Sequence, residues 1–414
     1  MTHVNDHDAP TYTQCLVLDP LAMKPQTTLV HAGDRRPLGN YIPVSTPIFA
    51  SSSFFYPAME ELADVFADRR PGETYARMGN PTSNALEEQV AAVEDGYAAI
   101  ATASGMAAVH LALMTGLLDR RQAIVAADVL YGGTLELLRT VLPSEGVEVR
   151  FCDFCDLEAV EAAVQEVRPA LLLTETISNP ALRVARLDRL KEIASANDAL
   201  LLVDNTFTPL LIKPFDHGAD MVIHSATKYL AGHGDVLAGA VVTPAEHAEV
   251  LQQTHRCLGG NLGPFESFLV MRGIKTLPLR MRHHCANARM VFDGLQGHPK
   301  VERLIFPGDP HHPDAEAVHK LMPPGEAGGA VGIDVKGGSD GACAFLDALR
   351  LAATSASIGD LTTLALHPSS ATHRMLTPEA REALGITDGL VRLSVGAEHI
   401  DDIMADLRQA LEQA

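Results

Sequence analysis

One lysine in a glycine-rich turn points most directly to chemistry in this chain. Lys228 lies in the run IHSATKYLAGHGD, just after the short apolar stretch Met221–Ile223, which has the length of a buried strand. An amine placed there can form a Schiff base with the aldehyde of pyridoxal phosphate, while the hydroxyls of Ser225 and Thr227 hold its phosphate. For an isolated lysine, a solvated loop is the competing interpretation, so the rest of the chain has to distinguish the two.

Two further strand ends carry groups that suit the same cofactor. Ser104, Gly105 and Met106 open a predicted helix, where free backbone N–H groups and the helix dipole favour a phosphate. Asp204 follows the apolar run LLLV and is costly to ionise there without a cationic partner, which a pyridinium nitrogen would supply. The alternative to a phosphate site at Ser104 is an ordinary helix start. The alternative for Asp204 is an aspartate that caps the next element.

Three more side chains could contact the cofactor ring or the substrate. Tyr131, followed by two glycines, could stack on a flat ring, and the Asn179 amide could donate to a phenolic oxygen. Arg392 is a charge inside the apolar run LVRLSVG, and it could bind an amino-acid carboxylate through two hydrogen bonds. The alternative for Tyr131 is an ordinary aromatic residue in a loop, and for Asn179 it is a turn formed with Pro180. For Arg392 the alternative is a structural ion pair.

The elements that must position these residues alternate between short apolar runs and amphipathic segments of helical length. Such alternation predicts an α/β fold with a large, mostly parallel sheet, whose ligands bind beyond the carboxyl ends of the strands. The predicted strands are Ala123–Ala127, Val147–Cys152, Ala170–Thr174, Leu200–Val203, Met221–Ile223 and Gly239–Val242, and the predicted helices are Met106–Leu118, Leu135–Leu142, Leu157–Val167 and Leu187–Asn197.

A smaller α/β unit is predicted towards the C-terminus. We expect three parts: an N-terminal arm and subunit-contact segment (1–70), a large cofactor-binding domain (71–268) and a small C-terminal domain (269–414). Residues 1–26 are expected to be irregular and 27–80 rich in loops. The predicted elements of the small unit are helices Ala286–Leu295, Gly341–Leu349 and Asp401–Leu411, and strands Ala330–Val335, Ala353–Ile358 and Gly389–Ser394.

Composition narrows the partners and the compartment. The 414 residues carry a net charge of −20, which disfavours nucleic acid and anionic membranes, and no apolar run is long enough to cross a bilayer. The polar N-terminus shows no secretory signal, so we expect a cytoplasmic protein.

Six cysteines are too few for a disulfide scaffold, and no metal site is expected. Cys152 and Cys155 form a CxxC, for which a redox role is the alternative to two ordinary thiols. For the adjacent His311 and His312, metal binding is the alternative to a solvated loop.

In this order, Tyr131, Asn179, Asp204, Lys228 and Arg392 resemble the cysteine/methionine-metabolism family of pyridoxal-phosphate enzymes, the trans-sulfuration enzymes. The resemblance covers about residues 27–412 and is most specific in ETYARMGNPT, SGMAA, LYGGT, ETISNP, VDNTF, HSATKYLAGHGD, HPSSATH and ITDGLVRLSVGAE. It implies the aspartate-aminotransferase-like type I fold with pyridoxal 5'-phosphate as cofactor.

The resemblance also implies residue roles and an assembly. Lys228 would bind the cofactor and shuttle protons, and Ser357 and Arg392 would hold the carboxylate of an amino-acid substrate. Tyr75 and Arg77 match residues that reach the phosphate of a neighbouring subunit, which implies a homotetramer, a dimer of dimers with shared active sites. The cofactor contacts implied are Gly105, Met106, Tyr131, Asn179, Asp204, Ser225 and Thr227.

The implied reaction is γ-elimination on a sulfur amino acid, with Tyr131 donating a proton to the leaving group. Ala356 stands where cystathionine-handling members carry a glutamate, which favours a lyase of the methionine type. Gly133, however, replaces the cysteine usual in dedicated methionine γ-lyases. A γ-replacing synthase or sulfhydrylase acting on an O-acylhomoserine is therefore the alternative. Two more distant alternatives are an aminotransferase and a non-catalytic relative of the same fold.

Overall fold

The computed structural model describes residues 23–38, 40–374 and 376–414, so most of the predicted irregular arm lies outside the described residues. The described chain forms two sheets, with their helices packed around them. The strands are β1 (Ala98–Thr102), β2 (Ala123–Ala127), β3 (Glu148–Cys152), β4 (Leu171–Glu175), β5 (Leu200–Asp204), β6 (Met221–His224), β7 (Gly239–Thr243), β8 (Val301–Ile305), β9 (Ala330–Val335), β10 (Ala353–Thr354), β11 (Leu364–Leu366) and β12 (Leu390–Ser394).

Fifteen α-helices are described, together with a π-helical turn at Leu137–Val141 and a 3₁₀ turn at Pro214–His217. The helices are α1 (Pro25–His31), α2 (Met59–Phe66), α3 (Pro81–Glu94), α4 (Gly105–Leu117), α5 (Gly132–Glu136), α6 (Leu142–Ser144), α7 (Leu157–Val167), α8 (Leu187–Ala196), α9 (Ala245–Leu258), α10 (Pro264–Ile274), α11 (Leu277–Leu295), α12 (Ala315–Leu321), α13 (Gly338–Ala348), α14 (Pro378–Ala383) and α15 (Ile400–Leu411).

The seven-stranded sheet brings six strand ends to one edge. Its order is β1-β7-β6-β5-β4-β2-β3, and the β2/β3, β2/β4, β4/β5 and β5/β6 pairs are parallel. Because β7 is antiparallel to both β6 and β1, strands β1 to β6 all point the same way. The large, mostly parallel sheet predicted from the alternating pattern is confirmed.

Leucine-rich strands form the centre of this sheet and explain its burial. Leu171–Leu173 of β4 and Leu201–Leu202 of β5 are at most 1% exposed. Helices cover both faces of these strands, so they carry continuous apolar runs rather than alternating ones. The core therefore fixes the strands whose ends carry the predicted site.

The five-stranded sheet has the order β10-β11-β12-β9-β8 and is mainly antiparallel. Its central strand β12 carries Arg392. The predicted strand Ala353–Ile358 is wrong in extent, because only Ala353–Thr354 pairs with β11. The chain then turns away and places Ser357 beside Lys228.

Several helices were not predicted. Helix α3 begins at an Asn80 cap that accepts from Thr82 N at 2.9 Å, with Pro81 in its first turn. Helices α9 and α10 were also missed, and α11 begins at Leu277, nine residues before the predicted start at Ala286. Within the described ranges, no helix combines the length and the apolar character needed to cross a membrane.

Candidate active site

The predicted lysine lies in a cavity at the shared strand edge. This cavity has a volume of about 190 Å³, and it is lined by Lys228 and most of the other predicted site residues. The Lys228 amine donates to Ser357 Oγ at 2.9 Å. Burial lowers the pKa of Lys228, and the positive charge of Arg392 lowers it further. Both effects make the neutral amine, the nucleophilic and basic form, more accessible than in a free lysine.

A helix N-terminus faces the same cavity. Ser104 caps α4 by accepting from Ala107 N at 3.1 Å, which leaves the first backbone N–H groups of α4 at the cavity wall. A Cβ on Gly105 would lie 2.7 Å from the Cβ of Ser225, so only glycine lets these two segments approach so closely. The result is a narrow recess of backbone donors suited to a phosphate.

Of the two hydroxyl groups predicted to bind the phosphate, the Ser225 hydroxyl is available for hydrogen bonding, whereas the Thr227 hydroxyl is already hydrogen-bonded within the protein. Among the described residues, the Ser225 hydroxyl has no protein partner. Thr227 Oγ1 donates to Ala238 O at 3.2 Å and accepts from Ala238 N at 2.9 Å. Both residues line the cavity, but a phosphate would compete with Ala238 for the Thr227 hydroxyl.

Asp204 ends β5 at the cavity floor. Its Oδ1 accepts from Thr206 N at 2.9 Å. Burial raises the pKa of Asp204, while the hydrogen bond from Thr206 opposes that rise. A cationic partner inside the cavity would stabilise the ionised carboxylate.

Arg392 and Asn179 form a pair above this floor. Arg392 is 2% exposed, and it donates from Nη1 to Asn179 Oδ1 at 2.8 Å and from Nη2 to the carbonyl oxygen of Ser357 at 3.0 Å. Its Nε has no partner among the residues that the structure describes, and burial lowers the pKa of the guanidinium to about 10. Since Asn179 uses its oxygen for Arg392, its amide N–H groups are left to donate elsewhere.

Glu175 was not predicted from the sequence to belong to the site. It ends β4 and accepts from Tyr131 N at 2.7 Å and from Asn179 N at 3.1 Å. Burial raises the pKa of Glu175 well above its usual range, the neighbouring Asp204 raises it further, and the two N–H groups oppose the rise. One buried carboxyl group thus fixes the backbones of both Tyr131 and Asn179.

Tyr75 and Arg77 do not reach this cavity within one chain. The Tyr75 residue is 49% exposed, and the Arg77 guanidinium donates to Arg256 O. Asn261 Nδ2 donates to Arg77 O at 3.0 Å. Their predicted role at a neighbouring subunit stays a prediction.

Cys155 of the CxxC and the histidine pair line a separate, larger cleft of about 540 Å³. Burial raises the pKa of Cys152 and of Cys155 to about 12, which disfavours the reactive thiolate, and both are free thiols. His311 is exposed, whereas His312 is buried and its Nδ1 accepts from Asp314 N at 3.1 Å. This cleft lacks the lysine chemistry of the smaller cavity.

The residues present fit pyridoxal phosphate. The recess at Gly105 admits backbone donors but no side chain, Asp204 suits a ring nitrogen, and Lys228 provides the amine for the aldehyde. The unpartnered Arg392 Nε leaves a buried cation for a carboxylate. Fold and cavity together define a pyridoxal-phosphate enzyme with the aspartate-aminotransferase-like architecture.

Comparison with known proteins identifies the family. Residues 26–412 match the family described as "Cys/Met metabolism PLP-dependent enzyme". An L-methionine gamma-lyase from Fusobacterium nucleatum subsp. nucleatum is 43% identical over 391 residues, covering 94% of this chain and 98% of that protein. The O-acetyl-L-homoserine sulfhydrylase of Leptospira meyeri is 36% identical over 95% of this chain and 98% of its own length.

Solved structures agree. The cystathionine gamma synthase of Xanthomonas oryzae pv. oryzae, solved in complex with cystathionine, superimposes with a TM-score of 0.87 at 37% identity, covering 94% of this chain and 98% of the other. The chain belongs to the cysteine/methionine-metabolism family of pyridoxal-phosphate-dependent enzymes. The predicted family, fold and cofactor are thereby confirmed.

Proposed function

We propose that this enzyme catalyses γ-elimination from a sulfur amino acid of the methionine, homocysteine or cystathionine type, releasing a 2-oxo acid, ammonia and a thiol. The observation that carries the proposal is the 43% identity to an L-methionine gamma-lyase over 94% of the chain. The cavity supports it, because its groups suit cofactor binding, carboxylate binding and proton transfer.

The proposed cofactor contacts divide by chemistry. The N-terminus of α4 at Gly105 and Met106, together with Ser225 and Thr227, would hold the phosphate. Asp204 would pair with the ring nitrogen. Tyr131 would stack on the ring, the Asn179 amide would donate to its hydroxyl oxygen, and Lys228 would form the covalent link.

The substrate is proposed to bind through its carboxylate. Arg392 is fixed by Asn179 and by the carbonyl of Ser357. Since its Nε has no partner within the described part of the chain, it can donate to a carboxylate without first breaking a bond. The Ser357 hydroxyl, now bound by Lys228, becomes available when the lysine moves. This would hold the α-carbon within reach of the lysine amine.

Bound pyridoxal phosphate supplies an electron sink for the negative charge that develops on the substrate. Lys228, whose pKa is lowered by burial and by Arg392, would take the α-proton and then assist proton loss at the β-carbon. Tyr131, 45% exposed at the cavity mouth, would donate its proton to the departing sulfur. Water then completes the release of the 2-oxo acid and ammonia.

γ-Replacement on an O-acylhomoserine is the second candidate, favoured by the 36% identity to an O-acetyl-L-homoserine sulfhydrylase. To separate the two, the enzyme is incubated with methionine, homocysteine, cystathionine or an O-acylhomoserine, with and without sulfide or cysteine. We expect 2-oxobutyrate without added thiol. Formation of product only when a thiol is present would instead assign the replacement reaction.

The Lys228→Ala variant tests the cofactor link on which both candidates depend. Wild-type protein should show the yellow absorbance of lysine-bound pyridoxal phosphate, and the variant should lose both that absorbance and activity. A wild-type protein without the absorbance would contradict the proposal.

We further propose a homotetramer in which Tyr75 and Arg77 reach the neighbouring subunit's phosphate. The segment before the large sheet exposes large apolar side chains, which a monomer rarely does over so short a stretch. These are Tyr41 (66% exposed), Val44 (77%), Phe55 (89%), Met59 (74%) and Phe66 (63%). Light scattering measures the assembly. Mixing Arg77→Ala with Lys228→Ala subunits should restore some activity if sites are shared.

The division into an N-terminal segment (1–70), a large domain (71–268) and a small domain (269–414) is also proposed, since the two sheets fall within the latter two ranges. A cytoplasmic location is proposed as well. The five cysteines in the described ranges are all free thiols, as expected in a reducing compartment.

A further inference from the structure

A buried polar cluster lies behind the strand edge that carries the proposed cofactor site. Glu94, at the end of α3, accepts at Oε1 from His224 Nε2 at 2.7 Å and from Asn205 Nδ2 at 2.9 Å. All three residues are 0% exposed. A carboxyl group and an imidazole in an otherwise apolar interior are costly to bury, so their presence there calls for a role.

The cluster is bonded to both strand ends that face the cofactor. Asn205 directly follows Asp204, and it also accepts from Thr208 Oγ1 at 2.6 Å and donates to Ile212 O at 3.0 Å. His224 directly precedes Ser225. Glu94 therefore joins the strand end that carries Asp204 to the one that carries Ser225.

A second set of hydrogen bonds joins the same two strand ends on the side that faces the cavity. Ser225 N donates to Thr206 Oγ1 at 2.8 Å, and Thr206 N donates to Asp204 Oδ1 at 2.9 Å. A shift of the His224 segment would thus be transmitted to the Asp204 carboxylate through Ser225 and Thr206. Asp204 is held from both sides of the sheet edge.

Electrostatics also connects this cluster to Asp204. Among the described residues, Glu94 Oε2 and His224 Nδ1 are buried without a hydrogen-bond partner, so the bond between His224 Nε2 and Glu94 Oε1 orients the imidazole. Two carboxyl groups face His224, Glu94 from α3 and Asp204 from β5. A positive His224 in turn lowers the pKa of Asp204 against the rise caused by burial.

We propose that Glu94 and His224 are positioning residues, a buried hydrogen-bonded pair behind the sheet that holds the Asp204 carboxylate fixed against the cofactor ring nitrogen. This inference rests on the cofactor site proposed above, but not on the choice of substrate. Through Glu94, helix α3 would thus influence the electronic properties of the cofactor although this helix does not line the cavity.

The test compares Glu94→Gln, His224→Gln and the double variant with a matched control, Glu87→Gln. Glu87 is a carboxyl residue on the same helix, and it accepts from Ala101 N at 2.9 Å outside the cluster. Each glutamine keeps a polar side chain of similar size but removes the carboxyl group or the imidazole. Three quantities are measured: the affinity of the apoprotein for pyridoxal phosphate, the pH midpoint of the bound chromophore, and kcat and KM.

For His224→Gln we expect kcat to fall about tenfold, as for the loss of one buried hydrogen bond. KM should change less than about threefold, because Arg392 is untouched. The chromophore midpoint should rise, since a displaced Asp204 supports less positive charge on the ring. The double variant should be no worse than the worse single one, because each change breaks the same pair. Glu87→Gln should match wild type in all three quantities.

An unchanged chromophore midpoint and kcat in both single variants would overturn the inference, as would equal effects in Glu87→Gln. A wild-type protein that forms no chromophore would instead refute the proposed cofactor site, so the two failures are distinct. If the glutamine variants do not fold, Glu94→Asp and His224→Asn are measured in the same way, and wild-type values of kcat and of the chromophore midpoint in both overturn the inference.

Discussion

Glu175 offers a sharp test of how the protein holds its active-site backbone. In Glu175→Gln the side chain keeps its shape but only one of its two acceptor oxygens. The new amide group then faces the N–H of Tyr131 or of Asn179, which Glu175 now accepts at 2.7 and 3.1 Å. One buried donor must therefore lose its partner.

A buried N–H without an acceptor costs about 1–3 kcal/mol. The two N–H groups belong to the residues proposed to stack on the cofactor ring and to contact its hydroxyl oxygen. If this free energy is lost from the stabilisation of the transition state, because the two residues are misaligned, kcat should fall about 5- to 150-fold. Steady-state kinetics on the best substrate, together with the visible spectrum of the bound cofactor, measure the effect.

Asp406 provides the matched control on α15. Its carboxylate accepts from the backbone N–H groups of Arg350, Leu351 and Ala352, each at 2.9 Å. Asp406→Asn removes an acceptor in the same way but far from the proposed chemistry. It should lower the free energy of unfolding by a similar amount, while kcat and the spectrum stay at wild-type values.

The reasoning is refuted if Glu175→Gln retains wild-type kcat and spectrum. It is also refuted if Asp406→Asn lowers kcat as much as Glu175→Gln does, because the loss would then reflect general destabilisation. A stability loss in both variants with a kinetic loss in only one supports the assigned role.

Two other predictions concern the cavity wall and the pH dependence of stability. A Cβ on Gly133 would lie 2.7 Å from Tyr131 Cε1, the far end of a side chain that is 45% exposed and can shift. Gly133→Ala should therefore lower kcat/KM by less than about fivefold, corresponding to about 1 kcal/mol, and a larger loss would contradict this. Burial lowers the pKa of His284 to about 4, below its unfolded value. The unfolded chain therefore binds the proton first, and the unfolding free energy should fall by up to about 3 kcal/mol as the pH drops from 6.5 to 4. Denaturant titrations at several pH values should show a shallower fall in His284→Gln, and equal slopes would contradict the assignment.

Residues that follow apolar runs could be placed from the sequence. Asp204 and Lys228 come directly after such runs, and the carboxyl ends of parallel strands meet at one edge. The structure brings them into one cavity with Arg392, although that residue lies on the other sheet. Here the sequence pattern was sufficient, because strand direction alone sets which ends converge.

Elements with weak apolar periodicity were missed for a physical reason. Helix α9 has only Leu251 and His255 among its buried residues, so its sequence lacks a continuous apolar stripe. Strand β8 lies at the edge of its sheet, and Glu302 and Arg303 are exposed there. Such elements are stabilised by their tertiary neighbours rather than by a pattern within their own residues.

Residues that support the site without lining the cavity are also not predictable from the local sequence pattern. Glu94 contacts His224 across 130 residues of sequence, and each has an ordinary local alternative, a helix-end acid and a strand-end histidine. Only the packing of α3 against the sheet brings them together, and no spacing within either segment encodes that approach. Contacts to the cofactor can therefore be inferred from strand ends. The groups that set the charge and position of those contacts emerge only when buried hydrogen bonds are followed outward from the cavity.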